Sequence, residues 1–311
     1  MRSKWVRVFR LMAAACALAA GVGIFGLGCG EAWTPAPSVP PSNEMAAVTW
    51  GGGEFVAVGN GMRLASPDGL TWESYSNPLG GPPMNAVAYG NHTFVVPGLN
   101  SRVYLSRDGR RWSNVYVGER AWLIGAAYGD GIFVVVGERG KTFMSVDGKT
   151  WYPSRTASRK LLTAVAFGRH RFVTVGEGGS IFSSRDGLTW RRVAHGASAF
   201  SGVTYGAAGF VAVGQFGEIW TSPDGRSWSL GPYMPGEPQL NAVAYTGTQY
   251  VIVGDGGLIL TSLGGLSWTS QDSGTQAGLY GVAGNSSTIV AVGAAEGAQP
   301  GCTVLVSTCP P

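Results

Sequence analysis

The sequence is poor in the residues from which most catalytic and metal sites are built. It contains 3 His and 4 Cys among 311 residues, and charged residues make up only 13%. It has no C-x-x-C pair and no H-E-x-x-H motif, so a zinc site is not predicted; no G-x-S-x-G motif marks a nucleophilic serine. No stretch after residue 29 has a convincing helical period. We therefore expect no cofactor, no metal ion and no catalytic residue.

Glycine, aromatic residues and repetition are abundant instead. The chain has 50 Gly and 11% aromatic residues, which is typical of short strands joined by tight turns. The pattern S-x-D-G-x-x-W occurs five times, and a sixth copy at residues 262–268 has Gly264 in place of the aspartate. Its repeated residues are Asp68, Asp108, Asp147, Asp186, Asp224, Trp72, Trp112, Trp151, Trp190, Trp228 and Trp268.

The spacing of two markers predicts the fold. Successive tryptophans of this pattern are 38 to 40 residues apart, and seven segments such as FVAVG recur at the same interval. Strand-forming repeats of this length favour a β-propeller. We predict an all-β, seven-bladed β-propeller with four strands per blade. In the fourth repeat, the strands are expected at residues 162–167, 172–175 and 180–184, with the fourth beginning near Trp190.

The last repeat is incomplete, and its missing strand is expected at the other end of the chain. The sequence ends after the third strand of repeat seven, predicted at residues 303–307. Trp33 precedes Trp72 by 39 residues, which is one full repeat. Residues 32–35 should therefore form the outer strand of blade seven and close the ring.

The N-terminus is predicted to be an export signal. Four basic residues precede an uncharged segment at residues 11–28, and Cys29 follows in GLGCG. This arrangement resembles a bacterial lipoprotein signal, which implies a lipid on Cys29 and an exported protein attached to a membrane of the cell envelope, on its periplasmic or cell-surface side. An uncleaved membrane anchor and ordinary secretion are the alternatives. The predicted divisions are a signal at 1–28, a linker with the closing strand at 29–44 and the propeller at 45–311.

The cysteines leave a second possibility open. Cys302 and Cys309 would lie at opposite ends of one strand, too far apart for a disulfide. Aligning the repeats places Cys29 and Cys309 in the same turn of blade seven. A disulfide between them, locking the ring, competes with lipidation of Cys29.

The repeated turn resembles the Asp-box of the BNR repeat family, found in sialidases and in non-enzymatic propellers. It is one residue shorter than the usual box. The resemblance implies a structural turn at the outer rim, away from the central site. Asp can accept backbone N–H groups within the turn, and Trp can pack on a neighbouring blade. The catalytic motifs of sialidases have no match here, so we expect no enzymatic activity.

A polar ring is predicted where each second strand turns into the third. The residues that open these turns are Asn60, Leu99, Glu138, Glu177, Gln215, Asp255 and Ala294. Such turns are where repeat scaffolds often carry function. The carboxylates of Glu138, Glu177 and Asp255 are therefore candidate binding groups, although solvated turn residues would give the same pattern.

Basic residues are concentrated in one part of the repeat array. Residues 102–192 contain 16 Lys or Arg and 7 Asp or Glu, whereas the remaining residues after Cys29 contain 2 and 11. The basic residues expected on the face of the polar ring are Arg120, Arg139, Lys141, Arg155, Arg159 and Lys160. Those expected on the opposite face or rim are Arg110, Arg111, Lys149, Arg169, Arg171 and Arg185. Such polarity attracts and orients an acidic partner.

These observations predict a monomeric, non-catalytic envelope scaffold that binds an acidic protein or polysaccharide and no nucleic acid. A carbohydrate-active propeller, either glycan-binding or a divergent glycosidase, is the main alternative. An assembly factor for a membrane complex is a third possibility. The chain resembles non-enzymatic BNR-type propellers of the cell envelope and photosystem II assembly-factor propellers. The latter share seven blades, Asp-box-like turns and an arginine-rich patch, but this chain lacks their longer D-G-G turn.

Overall fold

The computed structural model is a ring of seven four-stranded antiparallel sheets, as predicted. It describes residues 32–40, 42–75, 82–232, 234–296 and 301–308. Cys29 and Cys309, and with them the predicted lipid site and disulfide, lie outside these residues. Cys302 is a free thiol whose sulfur lies 2.9 Å from the Ser42 hydroxyl.

Strands are called a to d from the centre of each blade outwards. Blade 1 contains β2 (Met45–Gly51), β3 (Glu54–Gly59), β4 (Arg63–Ser66) and β5 (Glu73–Ser74), and blade 2 contains β6 (Ala88–Gly90), β7 (Thr93–Pro97), β8 (Arg102–Ser106) and β9 (Ser113–Tyr116). Blade 3 contains β10 (Leu123–Gly129), β11 (Ile132–Gly137), β12 (Lys141–Ser145) and β13 (Tyr152–Arg155), and blade 4 contains β14 (Leu162–Gly168), β15 (Arg171–Gly176), β16 (Ser180–Ser184) and β17 (Arg191–His195).

Blade 5 contains β18 (Phe200–Gly206), β19 (Gly209–Gly214), β20 (Ile219–Ser222) and β21 (Ser229–Leu230). Blade 6 contains β22 (Leu240–Tyr245), β23 (Tyr250–Gly254), β24 (Ile259–Ser262) and β25 (Thr269–Gln271). Blade 7 contains β26 (Leu279–Gly284), β27 (Thr288–Ala294), β28 (Cys302–Thr308) and β1 (Thr34–Pro35). Five short 3-10 turns join strands b and c, at Leu99–Ser101, Glu138–Gly140, Glu177–Gly179, Gln215–Gly217 and Asp255–Gly257. The strand bounds predicted for the fourth repeat agree with these to within one residue.

The hydrophobic core lies between the blades. Strand b is buried on both faces, as in β19, whereas the short outer strand β21 is exposed. In the described residues, one cluster of buried side chains fills each of the seven junctions between neighbouring blades. Because each sheet covers its neighbour, alternation of apolar and polar residues is not required in the inner strands.

An aromatic side chain of one blade packs directly on a glycine of the preceding blade. The Tyr128 ring lies so close to Gly90 that a Cβ added there would come within 2.0 Å of it. Gly129 has the same relation to Phe167 in the next blade. The recurrent tyrosines at the ends of strands a therefore have a packing role, and each such glycine is required by close approach.

Blade 7 is closed by the N-terminal strand, as the spacing of Trp33 predicted. Thr34 pairs with Val306 and Pro35 with Leu305 in β28. Trp33 is 6% exposed and packs in the cluster between blades 6 and 7. The closing strand thus holds the N-terminal part of the chain against β28 through strand pairing and through the burial of Trp33.

The repeated turn has the structural role that its resemblance implied. In blade 1, one oxygen of Asp68 accepts the N–H groups of Leu70 and Thr71 at 2.8 and 3.0 Å. The indole nitrogen of Trp72 donates to the carbonyl of Gly69 at 2.8 Å, and its ring packs between blades 1 and 7. The five aspartates all accept two backbone N–H groups in this way.

Restoring the missing aspartate in blade 6 should stabilise the protein. A Cβ added to Gly264 meets no atom within 4 Å, and the Gly265 N–H to Ser262 hydroxyl bond of the box is already present at 2.8 Å. We expect Gly264→Asp to raise the free energy of unfolding by about 1 kcal/mol, because two backbone N–H groups gain an acceptor. The matched change Asp147→Ala should lower it by a similar amount. Urea unfolding measures both, and no gain in Gly264→Asp would mean that this turn differs from the other five.

The boxes should also contribute to acid sensitivity. The N–H groups of Thr150 and then Lys149 lower the pKa of Asp147 to about 2. The pKa of an aspartate in the unfolded chain is about 3.9. The contribution of Asp147 to stability is therefore fully present above that pH and is lost as the pH falls towards its pKa in the folded protein. The stability difference between the wild type and Asp147→Asn should therefore be constant near neutral pH and shrink below about pH 4. A constant difference down to acid unfolding would contradict this assignment.

Truncating Trp33 should weaken the closed ring. We expect Trp33→Ala to lower the free energy of unfolding by about 3–5 kcal/mol, because a large buried side chain leaves the junction of blades 6 and 7. Leu230→Ala is the control, since this leucine is 65% exposed, and it should change stability by less than about 0.5 kcal/mol. Equal values in a chemical unfolding experiment would show that closure does not depend on the indole.

Candidate functional site

Residues 102–192, here called the basic sector, span β8 to the middle of β17, and so most of blades 2 to 4. The end of the ring that carries the b–c turns and d–a loops is called the b–c face, and the other end, with the a–b and c–d turns, is the c–d face. The structure places the six basic residues expected at the first of these ends on the b–c face, in turns, loops or adjoining strand ends: Arg120, Arg139, Lys141, Arg155, Arg159 and Lys160. Four of them have exposed side chains that make no ion pair with any described residue: Arg120, Arg139, Arg159 and Lys160.

Lys141 differs from these exposed cations. It is 8% exposed, its ammonium lies 2.9 Å from a carboxylate oxygen of Glu119, and it donates to the carbonyl of Arg120 at 3.2 Å. Arg155 approaches the same Glu119 oxygen at 3.4 Å. The hydrogen bond from Lys141 lowers the pKa of Glu119. Lys141 therefore holds the loop between blades 2 and 3 and is poorly placed to meet a partner.

The predicted polar ring is mainly made of turn contacts. Glu138 accepts the N–H of Trp122 at 3.1 Å, and Glu177 accepts that of Leu161 at 3.4 Å. Asp255 accepts an N–H of the Asn241 amide at 2.8 Å. These bonds attach each b–c turn to the entry or interior of strand a in the same blade.

At blade 7, the residue predicted for the polar ring does not lie in a turn. Ala294 is the last residue of β27 and pairs with Cys302, so its predicted place in a turn was wrong. Asp255 lines a cavity of about 440 Å³ with Asp272 and Glu296, on the acidic side of the ring. Within the described part of the chain, no three His, Cys, Asp or Glu residues are grouped so that they could hold a metal ion.

A cleft on the c–d face gathers arginines from two blades. It has a volume of about 640 Å³ between the outer parts of blades 4 and 5. Its lining includes one acidic residue, Asp186, and five arginines: Arg171, Arg185, Arg191, Arg192 and Arg226. No carboxylate oxygen of the described residues lies within 4.0 Å of these guanidinium groups.

Arg171 is the half-buried member of this cleft. Its guanidinium donates to the Ser183 hydroxyl at 3.0 Å. Burial, followed by the charges of Arg226 and Arg185, lowers its pKa. At the outer strand, the Arg192 guanidinium lies 5.3 Å from the centre of the Phe182 ring. The cleft therefore concentrates positive charge, and its half-buried member Arg171 would interact with an anion more strongly than an arginine on an open surface.

Sequence reasoning assigned Arg171 and Arg185 to this side of the ring but did not identify the cleft. Arg226 lies beyond the basic sector and belongs to the next blade. Only the meeting of the c–d turn of blade 5 with strand b of blade 4 brings it to Arg171. The repeat alignment held a usable signal, because it shows Arg226 in the box position that Arg110 occupies in blade 2.

Comparisons with known proteins identify the fold and not the activity. No protein-family model and no curated protein matches the chain. The solved structure of YCF48 bound to D1 peptide is 16% identical, with a TM-score of 0.72 over 92% of this chain and 99% of that chain. An inactive virginiamycin B lyase from Staphylococcus aureus with quinupristin is 10% identical, with a TM-score of 0.77 over 89% and 99%.

A third neighbour, the WD40 β-propeller domain of Doa1, is 12% identical, with a TM-score of 0.69 over 89% of this chain and 96% of that chain. The neighbours thus include a lyase, a peptide-bound protein and a WD40 domain. Because all three share the propeller fold, the fold does not distinguish catalysis from binding, and that distinction depends on the residues of the site. Within the described ranges, no helix is long and apolar enough to cross a membrane.

Proposed function

We propose that this protein is a non-catalytic binding scaffold of the cell envelope, and that the basic sector docks an acidic protein. The observation that carries this proposal is the set of exposed, unpaired cations on blades 2 to 4. Positive charge on one side of a rigid ring and acidic residues on the other would orient an acidic partner as it approaches. The signal-like N-terminus supports the envelope location.

The positions of the histidines support a non-catalytic role. His92 and His170 lie in a–b turns of different blades, and His195 ends an outer strand. The described contact of His170 is with Asp130 in the neighbouring turn, at 2.8 Å. The YCF48 neighbour has a bound peptide, which supports a protein as the partner. An assembly factor for a membrane complex would be a narrower form of this same function.

Capture from an envelope extract by the full chain tests the proposal. The test variant carries Arg139→Glu, Arg159→Glu and Lys160→Glu, and leaves the buried Lys141 intact. We expect one acidic protein to be retained by the wild type, released by added salt and retained about tenfold less by the variant, because charge reversal removes steering and contact energy.

The control variant carries Gln215→Glu and Gln276→Glu, which add negative charge to exposed positions on the same face outside the basic sector. It should retain the partner at the wild-type level. Identical capture by the wild type and the basic-sector variant would contradict docking at the b–c face. Turnover of a fluorogenic glycoside would contradict the non-catalytic role, and saturable glycan binding without a protein partner would favour the carbohydrate-binding alternative.

A further inference from the structure

The junction between blades 1 and 2 contains an ion pair that serves as an internal reference for the arginine cleft. Arg110, in the c–d turn of blade 2, lies 2.8 Å from a carboxylate oxygen of Glu54 at the start of β3. It is also 4.0 Å from Glu73 at the start of β5 and donates to the Tyr75 hydroxyl at 2.8 Å. Two carboxylates from blade 1 therefore surround one arginine from blade 2.

The junction between blades 4 and 5 has the same backbone positions with opposite charge. Glu54 pairs with the glycine that ends strand a of blade 1, and Arg171 pairs with the corresponding glycine of blade 4. Glu73 and Arg191 each begin strand d, opposite the residue before the box serine. Both carboxylate positions around the reference arginine thus hold arginine in the cleft.

Arg226 occupies the place of Arg110. Each follows the glycine of its box and donates its backbone N–H to the box aspartate at 2.9 Å. The stem of Arg171 lies against the turn that carries Arg226, because a Cβ on Gly225 would be 3.0 Å from the Arg171 Cδ. The groups that meet at this junction are therefore three arginines where the reference junction has one arginine and two glutamates.

Each carboxylate near the cleft has one oxygen engaged by its own turn, and the charge of Asp224 offsets part of the repulsion on Arg171. One oxygen of Asp186 accepts the N–H groups of Leu188 and Thr189, and one oxygen of Asp224 accepts those of Arg226 and Ser227. Arg185 and Arg192 add further positive charge to the same lining. Planar guanidinium groups bind carboxylates through two parallel hydrogen bonds, so five arginines beside two partly engaged aspartates leave donors in excess.

We propose that the cleft between blades 4 and 5 binds an acidic peptide segment, whose carboxylates lie among Arg171, Arg191 and Arg226 and supply the negative charge that Glu54 and Glu73 supply at the reference junction. This inference goes beyond the proposed function: to the docking surface on the b–c face it adds a second anion-binding site, on the c–d face. A peptide fits because the missing groups are two separate carboxylates and because β17 is the outer strand of its sheet. Its free edge can hydrogen-bond to an extended chain.

Binding of fluorescently labelled hexaglutamate to the full chain, followed by anisotropy, tests this site. We expect saturable binding that Arg171→Glu weakens about tenfold or more, because it removes a charge-assisted pair and supplies a competing carboxylate next to Arg226. The same substitution should keep or raise the unfolding temperature, since it recreates the Glu54–Arg110 arrangement. Lost binding with retained stability distinguishes loss of the site from misfolding.

Two further variants sharpen the result. Lys149→Glu makes a similar charge change at an exposed position of the same face, outside the cleft lining, and should alter the affinity by less than about twofold. The double variant Glu54→Arg and Glu73→Arg places arginines around Arg110 and should create a second site. A rise in the number of hexaglutamate molecules bound per chain would show that the charge reversal itself forms the site.

Several outcomes would overturn the inference. Absence of saturable hexaglutamate binding would exclude an acidic peptide, and binding of a sulfated glycan in its place would assign the cleft to another class of ligand. Unchanged affinity in Arg171→Glu, combined with loss in the variant carrying Arg139→Glu, Arg159→Glu and Lys160→Glu, would move the peptide to the b–c face. In that case the proposed function would stand and this inference would fail.

Discussion

Burial of each blade against its two neighbours is the constraint on which the rest of the structure depends. A four-stranded sheet with an apolar inner half is stable only when both faces are covered, and a linear array would leave two uncovered ends. The aromatic-on-glycine contacts, such as Tyr128 on Gly90, bring neighbouring blades into close contact near the c–d face. The strand that contains Thr34 closes the last sheet with the first part of the chain. Ring closure therefore converts seven weak local units into one cooperative structure.

Because the inner strands form the junctions between blades, the turns and outer strands are free to vary in charge. The buried positions of the inner strands are almost all apolar or glycine, so charge changes there would disrupt a junction. In the c–d turns, by contrast, the aspartate and glycine of the box fix the backbone whatever side chain follows. Leu70, Arg110, Lys149, Leu188 and Arg226 all occupy that following position. The rigid repeat can thus carry an uneven charge distribution without loss of fold.

Much of the fold could be predicted from the sequence because two markers repeat with one period. They fixed the number of blades, the strand order and the closing role of residues near Trp33. The environments of individual side chains could be predicted less well from the sequence. Lys141 appeared equivalent to its exposed basic neighbours, and its burial against Glu119 depends on the path of the loop between blades 2 and 3. Ala294 was misplaced because β27 extends further than its counterparts. The arginine cleft was missed because it combines positions from two blades, which a repeat-by-repeat alignment treats separately.

Because the repeats share one backbone conformation, equivalent positions within this chain can be compared with one another. Such a comparison helps to interpret an unpaired charge. A lone arginine on a surface is commonly a solvated side chain. Arg171 and Arg226 occupy positions whose counterparts in the same chain, Glu54 and Arg110, form an ion pair at 2.8 Å. Half-burial of Arg171 and its repulsion by Arg226 and Arg185 disfavour its charged form, and the charge of Asp224 offsets part of this cost. A neutral residue at either position would remove that cost, as Ile132 and Leu188 do between blades 3 and 4. Like charges at this junction, set against a neutral pair at the next junction and an ion pair at another, are the observation on which the proposed acidic-peptide site depends.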